Sequence, residues 1–386
     1  MITLRYAVIQ LFFWMMYGNA NGFASVYLLD RGFTNTQIGI MIAIAGVVSA
    51  VFQPAIASYA DRSDSIPIRY ITSGLSAVGL LSYIILLLTG KGGVLTTVFY
   101  GVAVFSAQLT LPFVNAMGAY TINGSKGFNF GVARAFGSVG YALLSYSLGA
   151  ITARLGSGFI IVAGIVVSTL FIISVLSYPN FSAEHSEKAN DKGSSIAEFI
   201  KKYKSFCIIL VGCFLLQIGH VLINTFAFQI VQVKGGDKAE VGVAMALAAI
   251  LELPMLFVLS KIMKKIKVGT LFRLSGIGLT LKVLFSLLAP NVATFYVVQI
   301  FQMFGWAVLT GSSVYYINSI MEPHDAVKGQ AYLTMAQTVA SVAASLVCGR
   351  MIDGFGANTT LFITTIISVI GMLILLLVKD KKEATA

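Results

Sequence analysis

The chain has 386 residues, 57% of them hydrophobic and 11% charged, with a formal net charge of +11. A water-soluble globular chain carries about 25% charged residues, so a single soluble core is excluded. Apolar runs of roughly 20 residues recur from end to end, the length that crosses a bilayer core of about 30 Å. The composition predicts an all-α membrane protein.

In chain order, twelve spans are predicted near 5–29, 37–59, 69–89, 94–120, 130–153, 158–178, 205–232, 240–262, 270–289, 292–318, 328–352 and 359–378. The first is too long for the apolar region of a cleaved signal and reads as a membrane span. It ends in "DRGFTNTQ", where Thr34 and Asn35 are helix-cap residues for the second. "KGGV", "GSG" and "APNV" are tight turns and "VKGGDKAE" a polar one. The polar stretch Pro179–Lys204 falls near the midpoint. The expected organisation is a six-helix half over 1–178, a central loop over 179–204 and a second six-helix half over 205–386.

Basic residues concentrate on alternate connections. Eighteen fall on one side, among them Arg62, Arg69, Lys201, Lys202, Lys264 and Lys265, against six on the other, Arg31, Lys91, Arg154, Lys234, Lys238 and Arg350. The positive-inside rule then puts both termini and the central loop in the cytoplasm, in the cell membrane. The basic balance reflects insertion beside anionic lipid and gives no reason to expect nucleic acid. A faint internal echo links "QIGIMIAIAGVVSAVFQP" in the second span to "EVGVAMALAAILELP" in the eighth, as in transporters built from two related halves. Cys207, Cys213 and Cys348 lie in apolar segments without metal-ligand spacing and read as small buried hydrophobes. No nucleophile–base set or metal cluster shares a depth, so no enzyme is expected, and no nucleotide-binding loop supplies energy. A proton gradient would serve in place of any cofactor.

A charge at mid-bilayer costs about 2.5–3.5 kcal/mol, which makes each one a functional candidate. Lys282, in "GLTLKVLFSLL", lies roughly 18 Å deep in the ninth span at 1.5 Å rise per residue, and Glu252, in "ILELP", lies roughly 15 Å deep in the eighth. These antiparallel neighbours are expected to pair, either as a structural lock or as a pair that a proton or substrate opens. His220, in "LLQIGHVLINTFAF", carries Asn224 one turn on, on the same face. The histidine is either a packing residue or a group with a hydrogen-bonding or proton-relay role. Asn19, Asn21, Gln108, Asn115, Gln217 and Gln302 are uncharged polar groups within spans, some bridging helices and some lining a cavity. Arg134, in "FNFGVARAFGSVGYALLSYSLG", either snorkels to the surface or turns into the bundle beside its many small neighbours. Tyr141 lies two turns beyond it, and a guanidinium with an aromatic ring on one face suits a polar solute with a flat side.

The stretch "FNFGVARAFGSVGYAL" resembles the fifth helix of lactose permease-like transporters of the major facilitator superfamily, in the sugar–proton symporter and phenylpropionate-permease-like branches. "GFTNTQIGIMIAIAGVVSAVFQPAIASYADR" resembles the second span and following loop of that family. The resemblance implies the major facilitator fold, with twelve helices in two halves. It implies substrate binding by Arg134, Ser138 and Tyr141. It matches Lys282 to a proton-coupling arginine, Glu252 to a nearby glutamate and His220 to a branch histidine, and it matches Asp61 and Arg62 to a gating loop. The chain departs from the lactose permeases at Ala116, Gln302 and Gly305, which replace a glutamate, a histidine and the proton-carrying glutamate.

The implied activity is proton-coupled symport of a small polar solute (a sugar, glycoside or nucleoside) by a monomer in the bilayer. Substrate contacts are expected from Arg134, Ser138, Tyr141, Asn224, Gln302 and Trp306, and proton coupling from Glu252, Lys282 and His220. The alternative is a carrier of an organic or aromatic carboxylate, because Arg134 and Lys282 face one deep acid. Efflux of drug-like compounds and a non-transporting sensor rank below both.

Overall fold

The computed structural model describes residues 1–62, 67–89, 93–125, 127–181 and 195–378. It is all-helical among the described residues, and nine of its helices are long and apolar enough to cross a membrane. Many large apolar side chains, among them Leu81, Leu88, Val297 and Phe362, point outward and exposed. In a soluble protein that surface would aggregate, but in hydrocarbon it is simply solvated, while the helices satisfy their own backbone groups.

The chain divides into two compact units, one formed by 1–187 with 236–250, the other by 188–235 with 251–386. The first contains α1 (Ile2–Tyr17), a π-helical turn (Gly18–Gly22), α2 (Ala24–Leu29), α3 (Asn35–Arg62), α4 (Ile68–Thr89), α5 (Val94–Gly124), α6 (Phe130–Leu155) and α7 (Phe159–Leu176). The second contains α8 (Ile196–Lys202), α9 (Lys204–Thr225) and α10 (Ala227–Val233). It continues through α12 (Val268–Leu288), α13 (Val292–Val298), a π-helical turn (Met303–Ala307), α14 (Val308–Ile320) and α15 (Pro323–Leu377). Helix α11 (Lys238–Ile262) is shared, its first part belonging to the first unit and the part from Leu251 onward to the second.

Local sequence explains most boundaries. Thr34 starts α3 as expected, its hydroxyl accepting from Gln37 N (3.3 Å) while Gln37 Oε1 accepts from Thr34 N (2.9 Å). Asn129 caps α6 by accepting from Val132 N at 3.0 Å. Pro54, Pro112 and Pro254 lie inside α3, α5 and α11, each removing one backbone donor.

Several predicted elements take a different form. The first and tenth predicted spans are interrupted by the π-helical turns, and the seventh breaks at Phe226 into α9 and α10. The last two predicted spans fall within α15, whose regular geometry is broken by Gly356 at φ 80°. The predicted loop over 179–204 holds a short helix, α8, started by a capping box in which Ser195 Oγ accepts from Glu198 N and Glu198 accepts from Ser195 N. The Ser195 backbone amide, and after it the Ser195 side chain, hold the exposed Glu198 carboxyl below its usual range. Lys202 at the end of α8 bridges to Glu322 (2.7 Å) and Asp325 (3.4 Å) at the start of α15, and Glu322 raises the lysine above its ordinary range.

Small residues set the closest approaches. A side chain at Gly140 of α6 would strike the carbonyl of Leu11 in α1, and one at Gly149 would meet the backbone of Gly242 at 2.7 Å. In the second unit a Cβ at Gly212 of α9 would lie 3.0 Å from the Gly371 carbonyl. The core of that unit is aromatic near α8, where Phe199 meets Tyr203 and Tyr332, each at 4.9 Å between ring centres.

Candidate functional site

Each unit carries its own polar cluster, and in each the cluster adjoins a π-helical turn. Such turns place one extra residue in the helix and misalign its backbone hydrogen bonds, and they recur at functional sites.

In the first unit Arg134 of α6 does not snorkel outward. Its guanidinium lies over the Trp14 ring at 4.4 Å, a cation–π contact. Trp14 is held in turn by a ladder along one face of α1. Trp14 Nε1 donates to Gln10 Oε1 (3.1 Å), Gln10 Nε2 to the Tyr6 hydroxyl (2.8 Å), and Tyr6 to the Val114 carbonyl of α5 (2.8 Å). The steps are four residues apart, the spacing that stacks side chains on a helix. A Cβ at Gly137 would lie 2.9 Å from Trp14 Nε1 and 3.0 Å from the Arg134 guanidinium, so a glycine is what lets the two meet.

Tyr141, two turns on, lies against the π-helical turn "GNANG". A Cβ at Gly18 would lie 3.0 Å from its ring, and one at Gly22 3.0 Å from its hydroxyl. Ala142, Ala246 and Ala249 form the apolar patch that Tyr141 packs against. Ser138 is buried between Arg134 and Tyr141 on the same helix. Around the π turn, Asn19 Nδ2 donates to the Tyr83 hydroxyl (3.1 Å), and Gln108 Nε2 donates to Asn21 Oδ1 (2.9 Å). These amides therefore bridge helices, and Asn115 is exposed.

The second unit gathers Glu252, Lys282, Gln302, His220, Asn224 and Trp306. Lys282 is 1% exposed and Gln302 is 4% exposed. Lys282 Nζ donates to Gln302 Oε1 at 2.5 Å, and Gln302 Nε2 donates to Glu252 Oε1 at 2.5 Å. The pairing expected between Lys282 and Glu252 is thus mediated, with an amide standing between the charges. Its carbonyl end faces the cation and its NH₂ end the carboxylate, the orientation its dipole requires. Removing Glu252 would leave Lys282 buried beside an amide that cannot neutralise it.

Backbone proximity fixes this register. A Cβ at Gly278 of α12 would lie 2.5 Å from Gly305 N, and one at Gly305 would lie 2.7 Å from Leu279 N. Two glycines therefore bring α12 onto the π-helical turn, with Lys282 one turn beyond Gly278 and Gln302 just before the turn. A carboxylate side chain at Gly305 has no room.

His220 of α9 stacks face to face on Trp306, ring centres 4.0 Å apart and planes 12° apart. Asn224 Nδ2 lies 2.7 Å from the His220 carbonyl and 3.2 Å from its Nε2. His220 Nδ1 is buried with no hydrogen-bond partner, an arrangement that costs about 1–3 kcal/mol. Gln217, one turn earlier, donates to the Ser341 hydroxyl at 3.2 Å and ties α9 to α15. The side chains of Asp61 and Arg62 lie outside the described residues, as do residues 63–66 that follow them.

Sequence reasoning missed Trp14, Gln10 and Tyr6, which look like ordinary residues of an apolar span. Their signal was the four-residue spacing of polar-capable groups on one face of α1. It also missed the two π-helical turns, although both are glycine-bearing polar or aromatic interruptions, "GNANG" and "MFGWA".

A helical bundle that exposes apolar surface and buries charge relays at mid-helix is the architecture of a membrane transporter. Residues 3–364 match the MFS_1 like family, and the chain belongs to it. It is thus a multi-pass transporter of the major facilitator superfamily and no enzyme. No curated protein matches the sequence significantly. Solved structures share the fold at low identity. The nucleoside transporter NupG superposes with a TM-score of 0.80 at 14% identity, over 98% of each chain. A D-xylose–proton symporter gives 0.72 at 14% identity, over 97% of this chain and 96% of that one. A bacterial homologue of the human lysosomal transporter Spinster gives 0.70 at 13%, over 98% and 96%.

Proposed function

We propose that the protein is a proton-coupled symporter of a neutral polar solute, a sugar, glycoside or nucleoside, working by alternating access as a monomer in the cytoplasmic membrane. The observation that carries this reading is the Lys282–Gln302–Glu252 chain. It balances the buried Lys282 with the half-buried Glu252 carboxylate inside one unit, so Arg134, seated on the Trp14 ring, is the cation outside this balance. Amides and aromatic rings then dominate both clusters, and rings with amide hydrogen bonds suit neutral polyols. A fold shared with a nucleoside transporter and a xylose–proton symporter supports the same solute class.

Arg134, Ser138 and Tyr141 of the first unit and Asn224, Gln302 and Trp306 of the second are the proposed solute contacts. Coupling follows from Gln302. While Glu252 is ionised, both ends of the Gln302 side chain are engaged, one by each charge. A proton on Glu252 weakens its hold on Gln302 Nε2 and frees the amide for solute, so the proton binds first. Glu252 is the proposed proton site because Gly305 has no space for one. Lys282 is its partner, and a gating role for Asp61 and Arg62 completes the reading.

In topology we read α1 with α2, and α13 with α14, as single spans around their π-helical turns. With α9 and α10 as one span, and α15 as two spans parted at Gly356, the chain has twelve. They form two six-helix halves over 1–178 and 205–386, joined by the central loop 179–204, with both termini cytoplasmic.

The test is a thermal-shift screen of the purified protein against sugars, nucleosides and aromatic acids, with Arg134→Ala as control. Stabilisation by neutral polyols, absent in the control, is the expected result. Stabilisation by carboxylates alone would replace this reading with an anion carrier.

A further inference from the structure

Sequence reasoning grouped His220 with the proton-coupling residues, and the geometry around the ring points elsewhere. Asn224 Nδ2 lies 2.7 Å from the His220 backbone carbonyl, which can only accept. That contact fixes which end of the amide faces the histidine, because the opposite orientation would set two oxygens against each other. The same NH₂ lies 3.2 Å from His220 Nε2. An NH₂ group only donates, so Nε2 must accept and carries no proton. The ring is then neutral, with its single proton on Nδ1. Asn224 thus sets the tautomer from one turn away, as an outer partner sets the tautomer of a metal-bound histidine.

What remains of the ring is narrowly defined. One face is covered by Trp306, the Nε2 edge is occupied by Asn224, and the Nδ1 edge is buried without a partner. A buried donor left unsatisfied beside a polar cluster is a group kept for something other than stability. Resting on the transport reading above, we propose that His220 is a solute-binding and specificity residue. Its Nδ1–H donates to one acceptor oxygen of the solute, a ring hydroxyl or a base carbonyl, when the solute enters beside Trp306. It carries no transported proton. The titratable side chains of this corner are Lys282 and Glu252, joined through Gln302, and the coupling proton stays with them.

Two measurements test this, and the first needs no ligand. The full chain is labelled with ¹⁵N-histidine, and the His220 signals are assigned by difference from His220→Asn. The expected spectrum has a protonated Nδ1 and a bare Nε2, unchanged between about pH 5 and 8, the range in which an ordinary histidine titrates. An Nε2-protonated ring, or an imidazolium forming in that window, overturns the proposal whatever the protein transports.

The second measurement compares uridine, D-xylose and their monodeoxy analogues on wild type, His220→Leu and His220→Asn. For the compound that wild type binds, His220→Leu is expected to weaken affinity about tenfold, the worth of one neutral hydrogen bond. One deoxy analogue should bind wild type and His220→Leu equally. His220→Asn, whose amide nitrogen reaches the place of Nδ1, should restore binding and gradient-driven accumulation. Binding restored without accumulation would make His220 a proton carrier and overturn the proposal, as would equal losses across every analogue. If wild type binds neither compound, the solute class proposed above falls, while the spectrum still decides the state of His220.

Discussion

The two units bury charge by opposite means. In the first, the Arg134 guanidinium rests on the π face of Trp14, itself fixed by a neutral ladder through Gln10 and Tyr6 to a backbone carbonyl. None of the neutral groups in that ladder changes charge over the physiological range. In the second, Lys282 and Glu252 are held apart by one amide. There, in the coupling proposed above, a proton on Glu252 releases one end of Gln302. The contrast is why we propose a constant binding surface in the first unit and the energy-coupled step in the second.

The largest effect should come from breaking the charged chain. Lys282→Met leaves the half-buried Glu252 without this cation and removes a charge-assisted hydrogen bond to Gln302, at an expected cost of about 1.5–3 kcal/mol. The check is thermal unfolding in detergent, where Lys282→Met with Glu252→Gln should recover most of the loss. If the single and double variants unfold alike, the charges do not sense each other through Gln302.

Arg134→Ala is expected to abolish solute binding while leaving folding nearly intact, because the Trp14 ladder does not pass through the arginine. Arg134→Lys keeps the charge but not the planar fork, and should bind roughly 10- to 100-fold more weakly by calorimetry. A lysine variant with full affinity would reduce the guanidinium to a simple positive charge.

Gly278→Ala pushes α12 off the π-helical turn, because the new methyl would meet Gly305 N at 2.5 Å. Overpacking of this kind costs about 1–3 kcal/mol. It should impair proton-driven accumulation more than solute binding to the first unit. Equal loss of both would mean that the glycine serves packing alone. The smallest effect is Trp14→Phe, which keeps an aromatic face under Arg134 but deletes the donor to Gln10. A loss of about 0.5–1.5 kcal/mol in stability is expected, with solute affinity changed little.

What was legible in the sequence is unequal across these two clusters. Lys282 and Glu252 stood out because charge in an apolar span is expensive, and their depths could be counted along the helix. The amide between them could not be read, since it depends on the rotation of three helices about their axes and on a π-helical turn that shifts Gln302. His220 and Asn224 share a face by spacing alone, but only distances bring the asparagine amide to both the His220 carbonyl and its Nε2. Arg134 was suspected of facing inward from its small neighbours, and Gly137 and Gly140 do make that approach possible. Trp14 carried only the four-residue spacing it shares with Gln10 and Tyr6, and a tryptophan in a membrane span is an ordinary sight until its ring is found beneath a guanidinium. The capping signals of α3 and α8 were local and complete in themselves, yet the central stretch read as loop because a seven-residue helix, about two turns, is too short to show a periodicity.

The central claim is that the proton which drives transport binds at Glu252 and acts through Gln302. The most direct test is Glu252→Gln in reconstituted vesicles, comparing solute exchange with accumulation against a proton gradient. The account predicts exchange retained at near wild-type rate and accumulation lost at every pH. Accumulation that persists in this variant would contradict it and move the proton site to another residue.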